Sequence, residues 1–286
     1  MPVPLSILGR KAGDGDMTPL FRQGGPRGVL CLHGFTGTPF EVRPLAEALA
    51  SQGFTVSAPL LAGHGTTTDD LAHTHWPDWL RSAEVALAKL SAAVAGGPVA
   101  IAGFSMGALL ALRLARLRPE VAALVVMSAP LRLRPFHVTA VRALASLPRL
   151  LRRGPIATLP KLRGYDVADQ QMQGRNPGLL GMPLAGVVSL LELAEMVRRD
   201  LPAIRVPTLV AHGTLDRTVP FGDSLELAGT IGSDVIERLW LRRSGHLIGI
   251  DVERTALSEA VARFLLTRLP HPRAGAGASA PREVIP

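Results

Sequence analysis

The chain has 286 residues, 47% of them hydrophobic, and a formal net charge of +8. That length fits one large domain with an ordinary buried core, without excluding two, and the hydrophobic content is that expected of a soluble globular protein. A single cysteine, Cys31, excludes an intrachain disulfide, and its apolar setting Val29-Leu30-Cys31-Leu32 marks a buried, inert thiol.

From about residue 27, short apolar runs alternate with helix-period segments, the pattern of a parallel sheet covered on both faces. Val29–Leu32 reads as a strand. Thr38-Pro39-Phe40-Glu41 then opens a helix, with Thr38 as N-cap, Pro39 in the first turn and Glu41 closing a capping box. Val42, Leu45, Ala46 and Leu49 continue at helical spacing until Gly53. Phe54–Ser57 is a short strand, and Trp76–Val94 is a helix with Leu80, Ala83, Leu87 and Leu90 on one face. Pro98–Gly103 is the next strand. The helix Met106–Arg118 follows, with Arg113, Arg116 and Arg118 toward the end where the dipole favours cations, and Pro119 stops it. Val121–Met127 is a strand, far shorter than the roughly 20 apolar residues of a membrane span. The N-terminus lacks a basic region followed by a long apolar one, so a cytoplasmic protein is expected.

The rhythm breaks between Leu131 and Met182, which contain no convincing strand and two weak helical patches. About fifty residues are too many for a plain connection, and such insertions often serve as lids; residues 131–182 are therefore read as a cap. Between Leu131 and Arg175 nine Lys or Arg face two acids, Asp166 and Asp169. Only Phe136 and Tyr165 supply aromatic rings there and no nucleic-acid motif occurs, so nucleic acid is not the expected partner. Solvated helix faces are the plainer account of the charge; peripheral contact with an anionic membrane, or an acidic substrate, is the other. Alternation resumes with a helix at Pro183–Arg199, strands at Pro207–Ala211 and Val235–Leu241, and a helix over Val252–Thr267. Residues 1–130 and 183–269 thus form the core, and the Pro-, Ala- and Gly-rich stretch 270–286 reads as a disordered tail.

Gly103-Phe104-Ser105-Met106-Gly107 matches G-x-S-x-G, and it sits where a strand ends and a helix begins. A serine on that sharp turn projects above the sheet at a helix N-terminus, where developing negative charge is stabilised. Serine needs a base, and His246 in Ser244-Gly245-His246 follows a strand and precedes the last helix. Asp216, past the strand ending at Ala211, is the acid expected to orient that imidazole; Asp223 and Asp251 are its rivals. Two backbone N–H groups should hold the oxyanion: that of Met106, and that of Phe35 in His33-Gly34-Phe35-Thr36-Gly37. His33, His64, His73 and His75 are read as loop-bracing residues in preference to a zinc site, and no nucleotide-binding motif appears, so no cofactor or metal is expected.

The run Leu32–Pro39, the segment Gly63-His64-Gly65-Thr66, Gly103–Gly107 and Ser244-Gly245-His246 together resemble the bacterial carboxylesterase and monoacylglycerol lipase family of the α/β-hydrolase fold. The resemblance spans about Gly28 to Leu269. It implies a small helical cap over a lipophilic pocket, no cofactor, and hydrolysis of monoacylglycerols or short to medium esters. By position it implies Ser105, Asp216 and His246 as the triad, with Phe35 and Met106 as oxyanion donors. Thioester, amide or carbon–carbon bond hydrolysis on the same scaffold is the alternative.

Overall fold

A computed structural model describes residues 13–132, 157–161 and 164–269. Seven strands form its main sheet: β1 (Leu20–Arg22), β2 (Gly28–Leu32), β3 (Thr55–Ala58), β4 (Val99–Phe104), β5 (Val121–Met127), β8 (Thr208–Gly213) and β9 (Ile236–Leu241). Their order is β1-β3-β2-β4-β5-β8-β9, and every pairing is parallel except that of the edge strand β1 with β3. A parallel strand is buried on both faces, which explains the unbroken apolar runs of β2, β4 and β5.

The pleat divides these runs between two cores. Leu30, Leu32, Ile101, Leu124, Val126 and Val210 point to one side. There they meet α3 (Trp76–Ala93), α4 (Met106–Leu117), α6 (Leu184–Asp200) and α7 (Phe221–Thr230). Val29, Cys31, Ala100, Ala102, Val125 and Met127 point to the other, against α1 (Arg43–Ser51) and α8 (Arg254–Arg268). Helix α4 is buried continuously from Met106 to Leu112, so its first two turns are apolar all round and lie inside the molecule, and the helix reaches solvent at Arg116 and Leu117.

The expected helix at Thr38 is corrected. Pro39–Glu41 is a 3-10 turn, α1 begins afresh at Arg43 with Pro44 in its first turn, and Thr38 forms no side-chain cap. A proline has no N–H to give an existing helix but fits the start of a new one, so Pro44 favours the restart. Glu41 closes no capping box because its carboxylate turns inward to the Gly34 amide. Other boundaries agree with the sequence within a residue or two, the usual fraying.

Within 131–182 the structure adds what periodicity did not show. β6 (Thr158–Pro160) pairs antiparallel with β7 (Gly181–Pro183), and α5 (Gln170–Arg175) is N-capped by Asp169, which accepts from Met172 N at 3.1 Å. Three-residue strands ending in proline carry too little alternation to be read from sequence. Two short helices were also missed: α2 (Thr68–Ala72), capped by Thr67, and α7 behind Pro220. Residues 133–156 and 162–163, half of the expected cap, and the expected tail 270–286 lie outside the described residues.

Candidate active site

Strand β4 runs straight into α4, and Ser105 is the hinge between them. Its backbone is left-handed, with φ 52° and ψ −117°, a conformation a non-glycine residue holds only when its surroundings impose it. The surroundings are visible. Ser105 N–H donates to the Met127 carbonyl at 2.8 Å, anchoring the turn to β5. A Cβ at Gly103 would lie 2.2 Å from the Gly107 carbonyl oxygen, and one at Gly107 would lie 2.3 Å from that of Leu32. Both glycines are therefore required by backbone contact, which is the physical content of the motif.

His246 meets this hinge from the loop after β9. Its Nε2 is 3.1 Å from Ser105 Oγ and its Nδ1 is 2.8 Å from Asp216 Oδ2. A carboxylate only accepts, so Nδ1 carries the proton and Nε2 is left to accept the Ser105 hydroxyl. Asp216 comes from the turn after β8. Its Oδ1 accepts Thr218 N and Val219 N, both at 2.8 Å, while His212 Nε2 lies 3.1 Å from Oδ2. Burial alone would raise the Asp216 pKa, but the facing, hydrogen-bonded His246, the adjacent His212 and the Val219 amide hold it below the usual carboxylate range. For His246 burial acts downward, and Asp216, helped by Asp166 and Glu41, outweighs it and raises the imidazole above its ordinary value.

The structure thus brings Ser105, His246 and Asp216 into one hydrogen-bonded line. The rival acids are occupied elsewhere. Asp223 accepts the Arg132 amide at 2.7 Å where the chain leaves β5. Asp251 is fully buried and accepts Gly245 N, Ala168 N and Asp169 N at 2.7 to 3.0 Å.

Met106 stands at the first position of α4, where an amide has no carbonyl of its own helix to bond. Phe35 lies in the loop after β2, whose shape is set on three sides. Gly34 N–H donates to Glu41 Oε2 at 2.9 Å; Leu179 N–H donates to the Thr36 carbonyl at 2.9 Å; Lys161 Nζ reaches Thr36 Oγ1 at 2.6 Å. Thr36 itself has φ 63°. His33 braces the loop from beneath: Leu61 N–H donates to its Nε2, and its Nδ1 faces the Gly34 carbonyl at 3.0 Å. Burial pushes its pKa down to about 3, so it is neutral. His64 bonds the Ala62 carbonyl within its loop, His73 bonds the Asp69 carbonyl at the end of α2, and His75 N–H donates to Asp78 at the start of α3. Cys31 is buried and its thiol pushed up to about 12 by desolvation.

Beside the Phe35 ring is an apolar cluster separate from the two cores. Leu184 and Val187 of α6 are buried there, with Leu159, Met182, Val188 and Leu191 half-covered. Sequence reasoning does not find four residues at the site. From sequence Glu41 reads as a cap, His212 carries no signal four residues before Asp216, and Asp166 and Asp169 read only as the acids of a basic stretch.

Residues 25–253 match the family model described as serine aminopeptidase, S33. A thermostable monoacylglycerol lipase of Bacillus sp. (strain H-257) is 32% identical over 246 residues, covering 86% of this chain and 93% of its own. A carboxylesterase of Bacillus subtilis (strain 168) is 26% identical, covering 86% and 95%. A solved structure from work on LipS and LipT, two metagenome-derived lipolytic enzymes, superposes with a TM-score of 0.80 at 30% identity, covering 89% of this chain and 99% of that one. With a serine elbow between β4 and α4 and a mostly parallel sheet behind it, the chain belongs to the serine aminopeptidase S33 family of serine hydrolases and has the α/β-hydrolase fold.

Proposed function

We propose that the protein hydrolyses carboxylic esters of lipophilic acids, monoacylglycerols among them, through an acyl-enzyme on Ser105. The observation that carries this reading is the line Asp216–His246–Ser105, at 2.8 and 3.1 Å, ending on a strained elbow. His246 Nε2 takes the Ser105 proton as Oγ attacks the ester carbonyl, while the Phe35 and Met106 amides hold the oxyanion. The imidazolium, stabilised by Asp216, then gives that proton to the departing alkoxide. Water enters, loses a proton to the same nitrogen and releases the acid, and the Ser105 hydroxyl is restored.

Ester rather than amide cleavage is supported by the monoacylglycerol lipase and carboxylesterase among the relatives, and by the half-covered apolar cluster beside Phe35. Residues 131–182 serve as the cap in this reading: β6 and β7 supply Leu159 and Met182 to that cluster, and Lys161 ties the segment to Thr36. Membrane docking finds its remaining basis in sequence. Six of the nine basic residues between Leu131 and Arg175 lie outside the described residues, whereas Arg132 pairs with Glu226 and Lys161 turns inward. The test of substrate is a p-nitrophenyl ester series from acetyl to palmitoyl, beside monoacylglycerols and peptide p-nitroanilides. An optimum at medium or long acyl chains supports the reading; preference for the anilides overturns it in favour of an amidase.

A further inference from the structure

Asp166 belongs to the insertion, between β6 and α5, 51 positions before the turn it touches. Its carboxylate is almost wholly buried and its acceptor capacity is filled from that turn. Oδ2 accepts Arg217 N at 2.6 Å, Thr218 N at 3.1 Å and Thr218 Oγ1 at 3.2 Å; Oδ1 accepts Arg217 Nε at 3.1 Å. The Thr218 amide is shared, for it also donates to Asp216 Oδ1 at 2.8 Å. One N–H therefore ties the two carboxylates together.

The same residue reaches the histidine loop by its backbone. Leu247 N–H, one residue past His246, donates to the Asp166 carbonyl at 3.0 Å. On the other side of His246, the Gly245 amide bonds Asp251, which also holds the Ala168 and Asp169 amides just beyond Asp166. A Cβ on Gly245 would lie 2.8 Å from Asp166 Oδ1, so the two segments are in direct contact. The acid turn and the histidine loop, which come from different strand ends, are both fastened to this short stretch of the insertion.

We infer that Asp166 is a positioning residue of the proton relay, holding the turn that aims Asp216 at His246 and the loop that aims His246 at Ser105. The inference rests on the triad reading and extends it to the insertion. It also carries a charge effect. The groups facing His246 are Asp216 directly, and Asp166 and Glu41 from the insertion and from the turn before α1. Arg217 pairs with Asp166, Lys161 faces Glu41, and His212 sits on Asp216. Neutralising Asp166 removes one anion that favours the imidazolium and leaves Arg217 unpaired, and both changes favour the neutral ring.

The test compares Asp166→Ala and Asp166→Asn with the wild-type chain, with kcat expressed per active site counted by the p-nitrophenol burst. Asp166→Ala is expected to lose between about tenfold and a hundredfold in kcat, with KM nearly unchanged, because the relay is misplaced rather than the substrate. Asp166→Asn keeps an oxygen for the Arg217 and Thr218 amides, so it should recover most of kcat while the acid limb of its pH profile moves to lower pH. Wild-type kcat and pH profile in Asp166→Ala, or an unmoved acid limb in Asp166→Asn, overturn the inference. Should Asp166→Ala not accumulate as folded protein, the acid limb of Asp166→Asn decides alone. Ser105→Ala separates the two levels: a surviving burst fells the triad reading itself, whereas a lost burst with unaltered Asp166 variants fells only this inference.

Discussion

A left-handed serine between two glycines that touch backbone is a geometry with little tolerance. The Cβ of Gly107→Ala would sit 2.3 Å from the Leu32 carbonyl oxygen, and neither β2 nor α4 can give way without moving the sheet or the elbow. We expect this substitution to cost at least about 1–3 kcal/mol and to abolish turnover, as read by chemical denaturation beside an ester assay. A variant with unchanged stability and rate would contradict the account of the elbow. In the proposed mechanism His246 sets the pH behaviour. It acts as a base only when neutral, so kcat/KM should fall as pH drops through its pKa. Since that pKa is raised, the midpoint should lie above the ordinary histidine value of about 6.5. Linkage runs the other way: the His246–Asp216 attraction stabilises the fold fully below the unfolded-state value and is lost as pH rises through the raised one. Activity and this contribution to stability should therefore have opposite slopes across the same limb, in a rate profile and a denaturation series recorded together. At this scale the serine, histidine and acid were legible, because each occupies a fixed place after a strand. Glu41, Asp166 and His212 were not, because their partners are distant or buried and no periodicity announces a carboxylate turned inward.

Elements place these residues by what they bury. The first half of helix α4, Met106–Leu112, is apolar and buried, so the sheet and α3 fix it and its N-terminus stays under the elbow. Helix α3 does comparable service for the loop that carries Phe35. Trp79 is fully buried, its ring lies 5.5 Å from Phe35 and 5.9 Å from His64 between centroids, and its Nε1–H donates to Thr74 Oγ1 at 3.0 Å. Trp79→Ala should destabilise the protein by about 3–5 kcal/mol, the range for removing a large buried aromatic, and should lower kcat in the surviving folded fraction. A shift below 1 kcal/mol in a urea titration would mean the ring is not part of the packing described. The element boundaries legible in sequence were those with caps or uninterrupted apolar runs. The restart at Pro44 and the short strands β6 and β7 depend on tertiary partners: the Gly34 amide for Glu41, and each other for the two strands.

For the whole molecule, the sheet is a platform, and the described part of residues 131–182 is bonded back to the loops at its strand ends. The α/β alternation dictated two cores, one per face, and the order in which Ser105, Asp216 and His246 appear follows from successive strand ends. What alternation does not encode is how an arginine-rich insertion reaches back to three separate loops: Lys161 to Thr36, Asp166 to Thr218 and Leu247, and the Ala168 and Asp169 amides to Asp251. Those contacts are long-range and polar, and none leaves a hydrophobic pattern. All of this serves the acyl-enzyme proposed on Ser105. Its most direct test is rapid mixing with a p-nitrophenyl ester, acid quench and peptide mass spectrometry. The account predicts a burst of one p-nitrophenol per enzyme, an acyl mass on the peptide carrying Ser105, and loss of both in Ser105→Ala. Undiminished turnover by Ser105→Ala, or an acyl group on another residue, would contradict it.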